Sequence, residues 1–507
     1  MMFKIHNSKF IILAVALLFT GAAMAQVDRS AYEKQKQAMQ QRYNQQKNQA
    51  RQRYDDARKK AEDEYAAFRK RANEEYAAAM QRAWQRMGVQ PPEPKPEEPK
   101  PPKPPAPPAP DAKPTTNPLP AAEVVKPPVV EEPPAIPAPP VHEPEPTVPT
   151  MQFAVYGTDC SVHTETEPLR FKLASIDEKG TSDAWKTLSQ KNYDNMLHDC
   201  LAQRDQLHLG DWGYICLLRS ATEKLLGKGT NEATFLQMYL LTQSGYNVRL
   251  GKVDGRLALL VPFNSRIMGY QSTYIDDTKY YLLTKTKATS VEVCNVGYPR
   301  EQVANVMLTE LPRLKGNPQP KRTFSAKRFG TMTASIGVEK SLIDYMNDFP
   351  LLNGGWDSYA NAGLSDQVKS DLYPALRSQI EGKSKQKAVF MILDFVQYAF
   401  DYATDQEQFG YERPLFGDES FFYPKNDCED RAILFSILVR DLVGLDVVLV
   451  HWPGHLGAAV AFPEEVEGDY YIVDGRRFTV CDPTYIGAKI GMTMPDFKDV
   501  NAKIVKL

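Results

Sequence analysis

The chain has almost no net charge. Its 61 Lys and Arg residues face 63 Asp and Glu, a formal net charge of −2 over 507 residues. That balance supplies no general attraction to nucleic acid, and no nucleic-acid partner is expected. Long apolar runs are also missing. The stretch Phe10–Phe19 is too short to cross a bilayer, so no transmembrane span is expected. Cysteine is sparse, six residues in all, and none lies near Ala23-Met24-Ala25, which argues against a lipoprotein anchor there. Histidine is scarcer where it matters, since the last third of the chain holds only His451 and His455.

What is present at the start reads as an address. Lys4 and Lys9 precede the short apolar run, and the small residues Ala23-Met24-Ala25 follow it, the pattern of a cleaved signal peptide over residues 1–25. A periplasmic or extracellular location is expected, where disulfides are permitted. Cys160, Cys200, Cys216 and Cys294 fall together in the chain. Four cysteines allow three pairings, among which sequence does not choose.

Tyr32, Tyr43, Tyr54, Tyr65 and Tyr76 recur every eleven residues, and Met39, Ala50, Ala61, Ala72 and Ala83 form a second series of the same period. Eleven residues in three turns predict one long helix over 26–88, straight or with slight right-handed supercoiling. At 1.5 Å per residue it would be on the order of 90 Å long. A Tyr/Ala stripe cannot bury itself, so a self-associating coiled-coil stalk is expected; a lone charged helix held by Glu/Lys and Glu/Arg pairs is the alternative. Residues 27–88 carry 15 Lys/Arg against 9 Asp/Glu, read as a solvated face or as an attraction to anionic envelope polymers or headgroups. Residues 89–150 hold most of the 39 prolines. This composition predicts a semi-rigid polyproline II spacer rather than a ligand for PxxP-reading domains.

Globular composition returns at Met151, and with it an internal repeat. At an offset of 199 residues, Gly245–Phe263 lies over Gly444–Phe462 with seven of nineteen positions identical: Gly245, Val248, Leu250, Gly255, Leu257, Val261 and Phe263 match Gly444, Val447, Leu449, Gly454, Leu456, Val460 and Phe462. Each segment follows an apolar helical run and precedes further strand-like residues. The expected fold class is therefore α+β, with two copies of a helix running into an antiparallel meander, over 151–325 and 326–507.

The second copy carries the chemistry. Asn426 and Asp427 are N-cap residue types, Glu429 and Asp430 suit a first helical turn, and Gly444 suits a helix end, so Cys428 is expected at a helix N-terminus. There the partial positive charge and free N–H groups favour a thiolate and can hold an oxyanion. Glu429 and Asp430 oppose the thiolate, which calls for an imidazolium partner. His455 begins an apolar strand after a Pro-Gly turn and is preferred to His451 as that partner. Asp482, at the end of a later strand before Pro483, suits a carboxylate that fixes the imidazole tautomer. His451 and His455 have the spacing of a helical zinc pair, but Pro453 and Gly454 between them break any helix, and no metal ligand is expected. A Cys428–Cys481 disulfide would abolish the nucleophile and is disfavoured by the helix-start setting.

Asn426–Leu434, the Gly454-His455 strand start and Asp482-Pro483-Thr484 together resemble the core of the transglutaminase-like superfamily, over roughly residues 387–485. The resemblance implies a papain-like Cys-His-Asp triad with Cys428 as nucleophile, His455 as general base and acid, and Asp482 as orienting carboxylate. It implies no cofactor, and a peptide or protein substrate, cell-envelope peptides among the candidates. The product is an acyl-enzyme passed to water or to an amine, as in a cysteine peptidase, amidase or protein-glutamine acyltransferase. Where that family often follows its histidine with a small residue and an aromatic, this chain has Leu456 and Gly457. In the first copy Arg256 stands at the position of His455, Gly229–Asn231 face that of Cys428, and Leu283 or Thr284 takes that of Asp482. That copy is expected to be a degenerate, non-catalytic domain. A non-catalytic envelope scaffold with a vestigial triad is the competing view of the whole chain.

Overall fold

The structure, a computed structural model, describes residues 29–94, 107–109, 112–120, 122–125, 149–164, 171–191 and 193–507. The expected signal peptide lies outside the described residues, as do 95–106 and 126–148 of the proline-rich stretch. Helices and strands are both abundant, an α+β composition. The chain divides into two units, residues 1–67 and 68–507.

In the first unit the helix Arg29–Met80 runs to the boundary with a polar surface. Met39, Tyr43 and Tyr54 are exposed there, and Arg58–Glu62 and Lys60–Glu64 pair one turn apart. In the second unit the last turns of the same helix bury Ala72, Tyr76, Ala77 and Met80, with the Tyr76 ring centroid 4.1 Å from that of Trp185. Sequence periodicity extends the helix to residue 88. The structure ends it at Met80 and makes Trp84–Gly88 a strand, because Met87 and Val89 are used to pack one face of a sheet.

That sheet has six strands in the order Trp84–Gly88, Ser290–Cys294, Arg249–Val253, Arg256–Val261, Thr278–Leu282 and Ser272–Ile275. A second six-stranded sheet has the order Glu123–Val125, Lys503–Lys506, Val447–Trp452, His455–Val460, Arg476–Val480 and Tyr470–Val473. The registers correspond. Arg249 pairs with Leu260 and Val253 with Arg256; in the second sheet Val448 pairs with Ala459 and Trp452 with His455. Further along, Leu260 pairs with Leu282 where Ala459 pairs with Val480. At the hairpin tip of the second sheet Asp474 and Gly475 have φ of 49° and 75°, the left-handed pair that a two-residue turn needs to match strand twist.

Each sheet takes its outermost strand from the N-terminal side of the chain, and each such segment also touches the opposite edge. Trp84–Gly88 pairs with Ser290–Cys294 while Gln90 bridges to Ser272. Glu123–Val125 runs parallel to Lys503–Lys506 while Pro118 bridges to Tyr470. Each segment thereby covers part of both edges of its sheet. Part of the stretch expected to be a spacer over 89–150 is consequently built into the second sheet. Leu119, Ala122 and Val124 pack against its inner cluster of Val448, Val450, Trp452 and Ile504. The apolar residues Leu119, Ala122 and Val124 stand apart from the densest proline runs, and that gives the segment something to bury.

Outside the sheets, helices Gly210–Leu226 and Asn231–Gln243 pack together, and helix Cys428–Val443 lies against Lys385–Ala399 and against the strand His455–Val460. One hydrophobic cluster runs through both sets of helices. The hairpin of Arg322–Ser325 with Thr333–Ile336 spans the position expected as a boundary after residue 325, within the compact unit 68–507.

Replacing Leu119 and Val124 together by Asp is expected to lower the midpoint of thermal unfolding of the full chain, each site costing about 1–3 kcal/mol through lost apolar contact and a buried charge. An unchanged midpoint, measured by circular dichroism, would return this segment to the role of spacer.

Candidate functional site

Cys428 is the first residue of the helix Cys428–Val443, after the N-cap Asp427. The helix starts there because the Asp427 backbone N–H donates to Asp430 Oδ2 at 3.3 Å, and it stops at Gly444, whose φ of 68° is left-handed. His455 is the first residue of its strand, after the Pro453-Gly454 turn. The helix that carries Cys428 packs on this strand.

His455 Nε2 lies 2.8 Å from Asp482 Oδ2, and both residues are buried, at 3% and 2% exposure. Asp482 Oδ1 accepts from the backbone N–H of Thr484 at 2.9 Å and of Tyr485 at 3.3 Å, so a turn fixes one carboxylate oxygen and the imidazole takes the other. An Nε2–H donated to the carboxylate leaves Nδ1 as the ring nitrogen that can accept a proton. The imidazole stacks within 5° of the Phe497 ring at 5.2 Å and within 15° of Trp452 at 5.7 Å. Gly457 belongs to this packing: a Cβ there would come within 2.9 Å of Trp452 Cζ3 and 3.6 Å of Asp482 Cγ. Gly457 is thus a residue over which the tryptophan ring is laid.

His451 goes elsewhere. Its ring lies tilted by 37° against that of Trp356, 4.7 Å between centroids, and burial, then Lys503 and His455, push its pKa down. The two histidines sit on adjacent strands across a tight turn, a setting unlike that of a helical zinc pair. All six cysteines are buried thiols. Burial and the neighbouring Asp482 push the Cys481 thiol well up.

The electrostatics around Cys428 depend on residues that sequence reading did not collect. Cys428 Sγ donates to Glu429 Oε2 at 3.0 Å. Potential ligand atoms of Asp427, Cys428 and Glu429 lie within 4.8 Å of one another, as do those of Asp405, Asp427 and Asp430, and those of Asp405, Glu412 and Glu429. Asp405, Asp427, Glu429 and Asp430 are buried. Arg431, buried beside them, spends its guanidinium on the backbone oxygens of Gln397 and Phe400. Five carboxyls this close in a dry setting cannot all ionise. Burial, then Asp427, Asp430 and Glu412, push Asp405 up to about 11, and burial foremost raises Asp427 to about 6. Glu429 and Asp430 are raised well above the ordinary range, again by burial first and then by Asp427.

Counted as carboxylates, Asp427 Oδ1 and Glu429 Oε1 have no donor. Holding protons, Glu429 bonds to Glu412 and to Asp427. By donor type the same oxygens could hold a hard divalent cation. Asp427, Glu429 and Asp430 were visible in the sequence as a helix start. Asp405 begins the short helix Asp405–Gln408, whose Thr404–Glu407 capping box marks a helix start and nothing more, and Glu412 follows in the loop after it.

In the first sheet, hydrogen bonding places Leu283 opposite Leu259 as Cys481 lies opposite Ala458, so Thr284 occupies the position of Asp482. Arg256 is exposed, and Asn231 Oδ1 accepts from the Leu257 backbone N–H at 2.9 Å, tying the helix start directly to the strand start. The chain matches no family model, no curated protein and no solved structure. The functional argument therefore rests on these side chains.

The signs of the carboxyl shifts fix a pH dependence. Acids whose folded pKa is raised bind more protons folded than unfolded, so their stabilising contribution is full below the unfolded pKa and fades as pH rises through the folded one. Between about pH 8 and about pH 5 the unfolding midpoint is expected to rise as pH falls, opposite to the usual acid trend, and Asp405→Asn is expected to flatten the slope. Asp371, whose pKa is lowered through Lys321 and the Gly337 amide despite some burial, loses its contribution only below that window. A midpoint that falls steadily on acidification would remove the proton-holding cluster.

Proposed function

We propose that the part of the chain around the second sheet is a transglutaminase-like thiol acyl-transfer unit, acting on peptide or amide bonds through an acyl-enzyme on Cys428. The observation that carries this reading is the buried His455–Asp482 hydrogen bond on the strand against which the Cys428 helix packs. In the proposed cycle His455 takes the thiol proton on Nδ1, the thiolate attacks the carbonyl carbon, and the developing oxyanion is stabilised at the positive end of the helix that Cys428 begins. Asp482 holds the imidazole tautomer and stabilises the imidazolium. The same proton then goes to the leaving amine, and water or an amine releases the acyl group. The correspondence in strand order and register supports reading the first sheet as a second, non-catalytic copy of the same unit.

A specific observation favours a second reading, a non-catalytic binding module with a vestigial triad. Cys428 donates to Glu429 and sits among carboxyls that oppose its ionisation. The two readings differ in thiol behaviour. The enzyme predicts alkylation of Cys428 by iodoacetamide with an apparent pKa well below the ordinary value of about 8.5, and loss of that reactivity in His455→Ala. Slow alkylation with an ordinary pKa, insensitive to His455, would leave the binding module.

For the chain as a whole we propose an exported protein whose N-terminal helix associates with that of another copy. No described helix is long and apolar enough to cross a membrane. Support for self-association comes from the Tyr/Ala series, buried at Ala72 and Tyr76 but exposed at Tyr43 and Tyr54. Sedimentation of the full chain is expected to show an oligomer that dissociates in Tyr43→Glu/Tyr54→Glu. A monomeric wild-type chain at micromolar concentration would refute it.

A further inference from the structure

Gln397 lies in the last turn of the helix Lys385–Ala399, at 1% exposure, a polar side chain in an otherwise apolar setting. Its Nε2 donates toward the backbone oxygens of Asp482 at 3.3 Å, Tyr485 at 2.9 Å and Ala488 at 3.2 Å. Its Oε1 accepts from the Gly487 N–H at 3.3 Å. One side chain therefore gathers both ends of the loop 482–488, whose first residue is the histidine's carboxylate partner. The backbone oxygen of Gln397 accepts in turn from Arg431 at 3.2 Å, and Arg431 also donates to Phe400 at 2.8 Å. Arg431 stands one turn beyond Cys428 on the helix that Cys428 begins. The helix bearing the thiol and the loop bearing the carboxylate are thus pinned to the same turn of a third element.

We propose that Gln397 is a positioning residue for the Cys428, His455 and Asp482 chemistry, holding the Asp482 loop in register with the Cys428 helix. This inference rests on the triad reading given under Proposed function. Gln397 makes none of its hydrogen bonds to the three side chains, and its effect passes through the Asp482 backbone. Without its donors three buried carbonyls lose a partner and the turn that presents Asp482 Oδ1 to the Thr484 and Tyr485 amides loosens. The carboxylate then drifts from His455 Nε2, and the imidazole is freed to take its other tautomer. A misplacement of about 1 Å can reduce such a reaction by about a hundredfold.

The test uses the full chain with alkylation of Cys428 followed over pH. Gln397→Met keeps the length and removes all polar contacts. It is expected to lower the alkylation rate at neutral pH by about tenfold or more and to move the pH profile toward that of His455→Ala. Gln397→Glu keeps shape and acceptor but loses the amide donors, and serves if the Met variant does not fold; its deficit is expected to shrink as acid restores one donor. In an Asp482→Asn background, Gln397→Met is expected to add nothing further, because both act on one imidazole. A folded variant with the wild-type rate and profile, or a loss that multiplies with that of Asp482→Asn, would overturn the positioning role. Should His455→Ala itself leave alkylation unchanged, the triad reading fails instead, so the two failures are separable.

Discussion

Burial of the helix Cys428–Val443 is the constraint on which the rest of the site depends. Ala432 through Val439 are all buried, on every side of the helix, against the strand His455–Val460 and the helix Lys385–Ala399. A helix apolar all round can only be central. Its start is then central as well, and the residues that make a good helix start, Asp427, Glu429 and Asp430, are drawn out of water with it. The cost of that burial is met by protons shared among carboxyls rather than by opposite charges. Local capping chemistry and global burial conflict here, and functional sites are where such conflict is expected.

The two sheets show how little of this follows from topology alone. Strand order and register correspond, and both sheets take an outermost strand from the N-terminal side. Yet the first sheet places an exposed Arg256 where the second has His455, and its helix start is stitched to its strand by Asn231. The difference lies in a few residues at the helix start, one strand start and one loop. Fold and chemistry are separable in this chain, and the chemistry has to be argued from side chains.

Much of this was legible in advance. The 199-residue offset carries the register because glycines mark the same turns and alternating apolar residues mark the same faces. His455 and Asp482 were readable because strand ends are marked by Pro453-Gly454 and by Pro483. The helix ending at Met80 was not, since an eleven-residue period says where a stripe lies and not what will cover it. Docking of residues 117–120 and 122–125 was hidden by proline-rich composition, which masks the few apolar residues that matter. Asp405, Glu412 and Gln397 could not be found at all. Each reaches the site across a gap in sequence, Asp405 from a Thr404–Glu407 capping box that signals only a helix start, and packing alone brings them there.

The carboxyl cluster, which looks hostile to a nucleophilic thiol, is on closer accounting a condition for one. Ionised carboxylates within 4.8 Å of the Cys428 sulfur would push its pKa far up, and a single imidazolium could not outweigh them in a dry interior. Protonated carboxyls carry no such charge. With Glu429, Asp430 and Asp405 holding protons, much of that charge is removed, and Asp427, raised only to about 6, is the carboxylate left beside the sulfur near neutral pH. The same shared protons therefore allow the buried helix to exist and lessen the repulsion on the residue at its start.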